Sequence, residues 1–215
     1  MTALTRSEVE RRLPIIDLIR DYELRTRVRD VAQHFPAYFW HAPVAPRETS
    51  GLYGEYTLGE RGLWIHVGMC ATVLEALLKT AWRREVIPSP QEADYARAAV
   101  ALHAGWRYGD EWEPGTAVAT GYATRTARVA ERYDVALPAC RAVAAHRGVW
   151  GDGPQPETAV ERLVHQAIVV ASRPCVTPDV YQPARELLDA HEELPVCGTD
   201  AAANEIRYQS RLIEW

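Results

Sequence analysis

Apolar positions recur at helical spacing through most of the chain, and the elements they predict are overwhelmingly α-helical. Ser7-x-x-Glu10 reads as a capping box opening a helix that carries Ile15, Ile16, Leu18, Ile19, Val28 and Val31, with Pro14 delaying its start or kinking it. Residues 36–61 form the longest stretch without periodicity, rich in Pro, Gly, Tyr and Thr. A loop that long in a compact domain points to a functional or covering role. A strong helix is predicted from about Leu63 to Arg84, with Leu74, Leu77 and Leu78 inward. Ser89-Pro90-Gln91-Glu92 combines a Ser cap, Pro at the first helical position and Glu at the third, so a helix starts there and ends at His103–Gly105.

Further along, Thr116 or Thr120 can cap a helix reaching Tyr133, and Pro138 starts a short helix ending near His146-Arg147-Gly148. Residues 151–156 are a loop, and Pro156 opens a helix through Ser172. Thr177-Pro178-Asp179 starts a last helix to about His191, and the tail from Asn204 to Trp215 is readable as strand or helix. With no repeat, low-complexity segment or linker, the economical expectation is one all-α domain over 1–215, a bundle of about seven helices.

Composition narrows the function classes only modestly. A length of 215 residues suits one domain with a real core, and 47% apolar with 25% charged residues is ordinary for a globular protein. The net charge of −5 disfavours a general nucleic-acid binder without excluding a local basic patch. Lys79 is the sole lysine, so the basic groups are arginine forks suited to phosphate. Cys70, Cys140, Cys175 and Cys197 show no C-x-x-C spacing, which argues for buried free thiols. The N-terminus lacks a signal-peptide core, and no apolar stretch is expected to span a membrane; a cytoplasmic protein is the expectation.

Candidate chemistry lies in a row of histidines. His66 stands in Leu-Trp-Ile-His-Val-Gly, His103 in Ala-Val-Ala-Leu-His-Ala-Gly-Trp, and His146 in Ala-Ala-His-Arg-Gly. His165 follows in Leu163-Val-His-Gln-Ala-Ile-Val-Val-Ala-Ser172. Their order and surroundings over residues 36–172 resemble the HD superfamily of metal-dependent phosphohydrolases. Gly62-Leu-Trp-Ile-His66 resembles the Gly-Leu-x-x-His opening of some members, and His41 falls where certain members carry an extra histidine. The resemblance implies an HD-type bundle whose helices bring ligands to a divalent metal (Mn, Fe, Co or Mg) that hydrolyses a phosphoester of a nucleotide or nucleic acid.

On that resemblance His66 and His103 are the metal ligands, and His146, Arg147 and Arg125 face the substrate phosphate. Arg107 and Asp110 or Glu111, in the polar-aromatic segment after His103, supply a phosphate-binding cation and an acid or base. Both motif carboxylates are missing, however. Ala104 occupies the slot of the paired Asp and Ile168 that of the distal Asp, and neither side chain can bind a cation or take a proton from water. The chain is therefore expected to have little or no hydrolytic activity, whether the acids were lost naturally or by deliberate substitution. The alternative is a non-catalytic nucleotide-binding or protein-interaction module reusing the pocket.

Each residue also has a plain structural reading. His66 and His103 could be hydrogen-bonded core histidines, the latter an imidazolium favoured by its helix C-terminus. His146 could be a C-cap, and His165 a packed neighbour of the pocket. Asp110 and Glu111 could belong to an exposed turn, and Arg125, Arg128 and Arg132 to a solvated helical stripe. Cys70 lies four residues after His66 on one helix face, but nothing else in the sequence points to thiol chemistry.

Overall fold

The physical centre of the molecule is a helix whose residues are small enough to be surrounded. In Pro90–Leu102 every residue from Ala93 to Leu102 is buried except Tyr95, and the stretch includes Ala93, Ala96, Ala98, Ala99 and Ala101. A helix apolar on all sides must lie inside the fold, and alanines let its neighbours approach closely. The computed structural model describes residues 4–46, 53, 57–83, 89–148 and 153–172. Its elements are α1 (Arg6–Arg12), α2 (Tyr22–Gln33), α3 (Gly62–Arg83), α4 (Pro90–Leu102), α5 (Tyr122–Arg132), α6 (Leu137–Ala145) and α7 (Ala159–Ala171). Two 3-10 turns, Pro14–Leu18 and Ala37–Trp40, complete the order, and no strand occurs among the described residues. The architecture is an all-α bundle in which α4 packs against α2, α3, α6 and α7, while α3 pairs with α7 and α5 with α6.

Local signals place most boundaries. The Ser89 hydroxyl accepts from the Glu92 amide while the Glu92 carboxylate accepts from the Ser89 amide, so α4 starts where the sequence predicts. Other boundaries move. The first capping box is Thr5/Glu8 rather than Ser7/Glu10, and Glu10 instead pairs with Arg29 of α2. Pro14, with no amide to donate, divides the predicted first helix into α1, a 3-10 turn and α2, the last capped by Asp21. Neither Thr116 nor Thr120 caps α5; Gly121 does, at φ 68°, and the Thr116 hydroxyl holds the Glu113 amide. Thr158 with Glu161, rather than Pro156, opens α7. The predicted helix from Thr177 and the tail from Asn204 lie outside the described residues.

One membrane expectation needs correction. The Gly62–Lys79 window of α3 is long and apolar enough to cross a membrane, although 61% of it is buried within the fold. Its apolarity comes from a core position: Val67, Val73, Leu74, Leu77 and Leu78 are fully buried.

Two polar networks orient α4. At its N-terminal half, Arg97 donates to both carboxylate oxygens of Glu75 on α3 (2.7 and 3.0 Å) and to Asp94 (3.0 Å). The other Asp94 oxygen accepts from the Arg20 and Asp21 amides at 2.9 Å, joining the start of α2 to α4. At the C-terminal end, Gly105 lets the Phe35 ring close on the backbone; a Cβ there would lie 2.4 Å from Cε1 of Phe35. The Tyr38 hydroxyl donates to the Gly109 carbonyl and accepts from the Tyr108 amide, tying the 3-10 turn at Ala37–Trp40 to the segment after α4.

Removing Asp94 leaves Arg97 with half its partners and takes the acceptor from the Arg20 and Asp21 amides. We expect Asp94→Ala to destabilise the fold by about 3–5 kcal/mol, the range for breaking a buried ion pair. The urea midpoint measures it, and a loss of only about 1 kcal/mol, as for a surface pair, would contradict the role given to this network.

Candidate functional site

Two helix ends and one helix face build a buried row of rings. His103 is the C-cap of α4 and His146 the C-cap of α6. Carbonyls in the last turn of a helix lack an intrahelical partner. Each histidine answers this locally, its Nδ1 bonding the carbonyl three residues back: Val100 at 2.9 Å and Val143 at 2.7 Å. A carbonyl accepts only, so Nδ1 carries the proton in both rings and Nε2 is left with its lone pair. His66 comes from α3, one turn before Cys70 on the same face. Ring centroids are 5.4 Å apart for His66–His103 and 5.1 Å for His103–His146. Tyr53 stands 5.9 Å from His66 at one end, and Tyr122, the first residue of α5, stands 5.5 Å from His146 at the other.

The Nε2 atoms have different fates. That of His146 accepts from the Tyr122 hydroxyl at 2.9 Å. That of His103 is buried and has no hydrogen-bond partner. The Cys70 thiol lies 3.5 Å from Nε2 of His66. His66, Cys70 and His103 are all buried, and their ligand atoms lie within 4.8 Å of one another, so this group could hold a metal ion.

The one full charge in the row belongs to Arg107, brought inward by successive turns after α4 and only 4% exposed. Its guanidinium donates to the Val44 carbonyl, to the Tyr122 hydroxyl at 2.9 Å and to the Tyr53 hydroxyl at 2.6 Å. It also lies over both tyrosine rings, 5.2 Å from the Tyr122 centroid and 5.3 Å from that of Tyr53. No carboxylate pairs with it among the described residues. Arg147 sits 5.6 Å from the Tyr122 centroid, a second cation on the same ring.

Burial first, then the neighbouring imidazoles and Arg107, hold His66 and His146 well below the ordinary histidine pKa. Burial lowers His103 to about 4. The row is therefore neutral at pH 7, which overturns the expectation of an imidazolium at His103 stabilised by its helix end. Burial also pushes the Cys70 thiol and the Tyr122 hydroxyl up, so the free cluster holds both in their protonated forms.

The structure thus brings together His66, His103, His146 and Arg107, with Arg147 on the far ring. It does not bring Asp110 and Arg125 to them. These two form an ion pair with each other, at 73% and 45% side-chain exposure. Arg125 also lines a shallow groove on α5 with Arg128 and Arg132. Ala104 is fully buried and Ile168 nearly so, both apolar. His165 bonds the His146 carbonyl at 2.8 Å and packs against Gly148, where a Cβ would lie 2.6 Å from its Cε1. His41 stays outside the row, edge-on to Trp112 at 5.8 Å. These two line a cleft of about 700 Å³ with Pro43, Ala45, Pro46 and Leu58. Pro43, Ala45 and Pro46 thus line the cleft while Val44, between them, gives its carbonyl to Arg107. Cys70, Tyr53 and Tyr122 were missing from the sequence-derived site; only the His66/Cys70 spacing foreshadowed any of them.

Neutral buried imidazoles make the metal-free protein acid-sensitive. The unfolded chain takes up protons near pH 6.5 while the folded rings refuse them, so stability is complete above that pH and falls as pH drops from 6.5 towards 4. We expect the protein to be clearly less stable at pH 5.5 than at pH 7.5, because the unfolded rings take up protons across that interval and the folded ones do not. Urea midpoints at the two pH values check it; a flat profile would mean that the rings are charged or solvated in the fold.

No family model matches the chain, and neither a curated protein nor a solved structure does. The fold is helical, with a buried His/Cys/His cluster, and is compatible with an HD-like arrangement.

Proposed function

We propose that this chain is a catalytically silent, HD-like helical protein that binds a phosphate-bearing small molecule, a nucleotide being the best fit. The observation that carries the reading is Arg107. A guanidinium cannot shed its proton in a protein, and burying it beside only neutral groups costs several kcal/mol. An anion that enters offsets that cost, and the planar fork suits phosphate oxygens. Arg147, on the same tyrosine ring, adds a second positive charge on that side. The neighbouring cleft has the volume of a small-molecule pocket, and Trp112 and His41 offer aromatic faces for a base. The 43–46 segment lines the cleft and bonds the guanidinium through the Val44 carbonyl, so binding requires it to shift.

A hard or borderline divalent metal of the phosphohydrolase kind (Mn, Fe, Co or Mg) does not fit these residues. Such ions take oxygen-rich or mixed ligand sets with carboxylates. Here alanine and isoleucine occupy both expected acid positions, the cluster offers nitrogen and sulfur, and Arg107 repels a dication. No hydrolytic step is derived through one. The negative net charge likewise gives no support to nucleic acid as the main partner.

The test is thermal melting in the presence of a chelator. Adenine and guanine nucleotides are expected to raise the melting temperature by about 5–10 °C at a hundredfold excess over Kd, nucleosides much less, and Arg107→Met to abolish the shift. The absence of any shift with nucleotides or inorganic phosphate overturns the reading. We also expect no phosphodiesterase turnover with Mn²⁺, Fe²⁺, Co²⁺ or Mg²⁺; metal-stimulated turnover would show that the chain is not silent.

A further inference from the structure

We propose that His66, Cys70 and His103 form a binding site for a soft monovalent ion, copper(I), distinct from the anion site at Arg107. Three features lead there. The donor set is two imidazoles and a thiol, the ligand types that select soft and borderline ions. The geometry is close to what coordination needs. Metal–sulfur and metal–nitrogen bonds of about 2.3 and 2.0 Å place the two ligand atoms about 3.7 Å apart around a three-coordinate ion. Cys70 Sγ and His66 Nε2 are 3.5 Å apart. Finally, His103 presents a buried nitrogen lone pair with no partner, fixed in orientation because its other nitrogen is held by the Val100 carbonyl. Buried polar atoms are almost always satisfied, and this one is explained by a ligand that accepts its lone pair.

Charge chooses the ion. Binding replaces the Cys70 S–H bond by a sulfur–metal bond and releases one proton to solvent, with no change in the oxidation state of the ion. The thiolate then balances one positive charge. A copper(I) ion leaves the ligand set neutral beside Arg107, whereas zinc(II) leaves a net positive charge next to a buried guanidinium. No carboxylate among the described ligands is there to absorb it. Zinc also favours a fourth ligand, and Nε2 of His146, in the ring next to His103, already accepts the Tyr122 hydroxyl.

The full-length chain is titrated anaerobically with copper(I), supplied as its acetonitrile complex, against bicinchoninate as competing chelator. X-ray absorption of the loaded protein reports the ligands. We expect a tight equivalent with one sulfur and two nitrogens, lost or weakened at least roughly 100-fold in Cys70→Ser and in His103→Gln, both of which remove a direct ligand. The melting curve of each variant confirms folding, and Arg107→Met should retain the copper. Copper binding unaffected by both ligand substitutions, an all-sulfur environment, or preference for zinc over copper(I) overturns the assignment. Because the anion reading depends on Arg107 and this one on Cys70 and His103, either can fail while the other stands.

Discussion

The burial of α4 on all sides governs the molecule. A helix rich in alanine can be surrounded by α2, α3, α6 and α7; its start at Ser89 and Pro90 stays exposed, but its C-terminal end then opens into the interior rather than into water. Every polar group on or just beyond it must find a partner inside the bundle. At the N-terminal half, Arg97, Glu75 and Asp94 achieve this with charges that answer one another. At the C-terminal end the solution uses neutral groups. His103 satisfies the last turn with its own imidazole, and Arg107 spreads its charge over a carbonyl and two tyrosines.

The contrast between the two ends explains why only one looks functional. Arg97 is matched by two carboxylates, and Asp94 takes two backbone amides besides, so that network is complete and structural. Around Arg107 the fold supplies hydroxyls and imidazoles but no acid. The same burial that keeps His66, His103 and His146 neutral leaves their nitrogens available as donors of electron pairs. A buried row of neutral imidazoles beside a guanidinium that no carboxylate pairs among the described residues is poor ground for hydrolysis at a hard metal and better suited to holding an anion or a soft ion.

On the proposed HD-like reading, apolar groups stand at the two positions where a phosphohydrolase centre would need acids. Ala104 is fully enclosed and Ile168 nearly so, both at positions where a helix bundle ordinarily places apolar side chains. Both side chains suit the packing around them, and neither offers an oxygen to a metal or a proton.

What the amino-acid order determined alone was local. Ser89 and Glu92 close a hydrogen-bonded box within four residues, Pro14 lacks an amide wherever it sits, and apolar periodicity marks α3 and α4 without reference to anything distant. The order of His66, His103 and His146 was likewise readable, since each lies on or at the end of a helix predicted from its neighbours. Whether those rings meet depends on how the helices pack, a sum of many weak, non-directional contacts that no short motif encodes. The same packing turned Asp110 outward to Arg125 and Arg107 inward to Tyr53 and Tyr122, although the pair stand three residues apart in one segment. It also set Cys70 and His103, from different helices, within reach of one ion. Sequence spacing can place two side chains on one helix face; only the assembled bundle decides which faces meet.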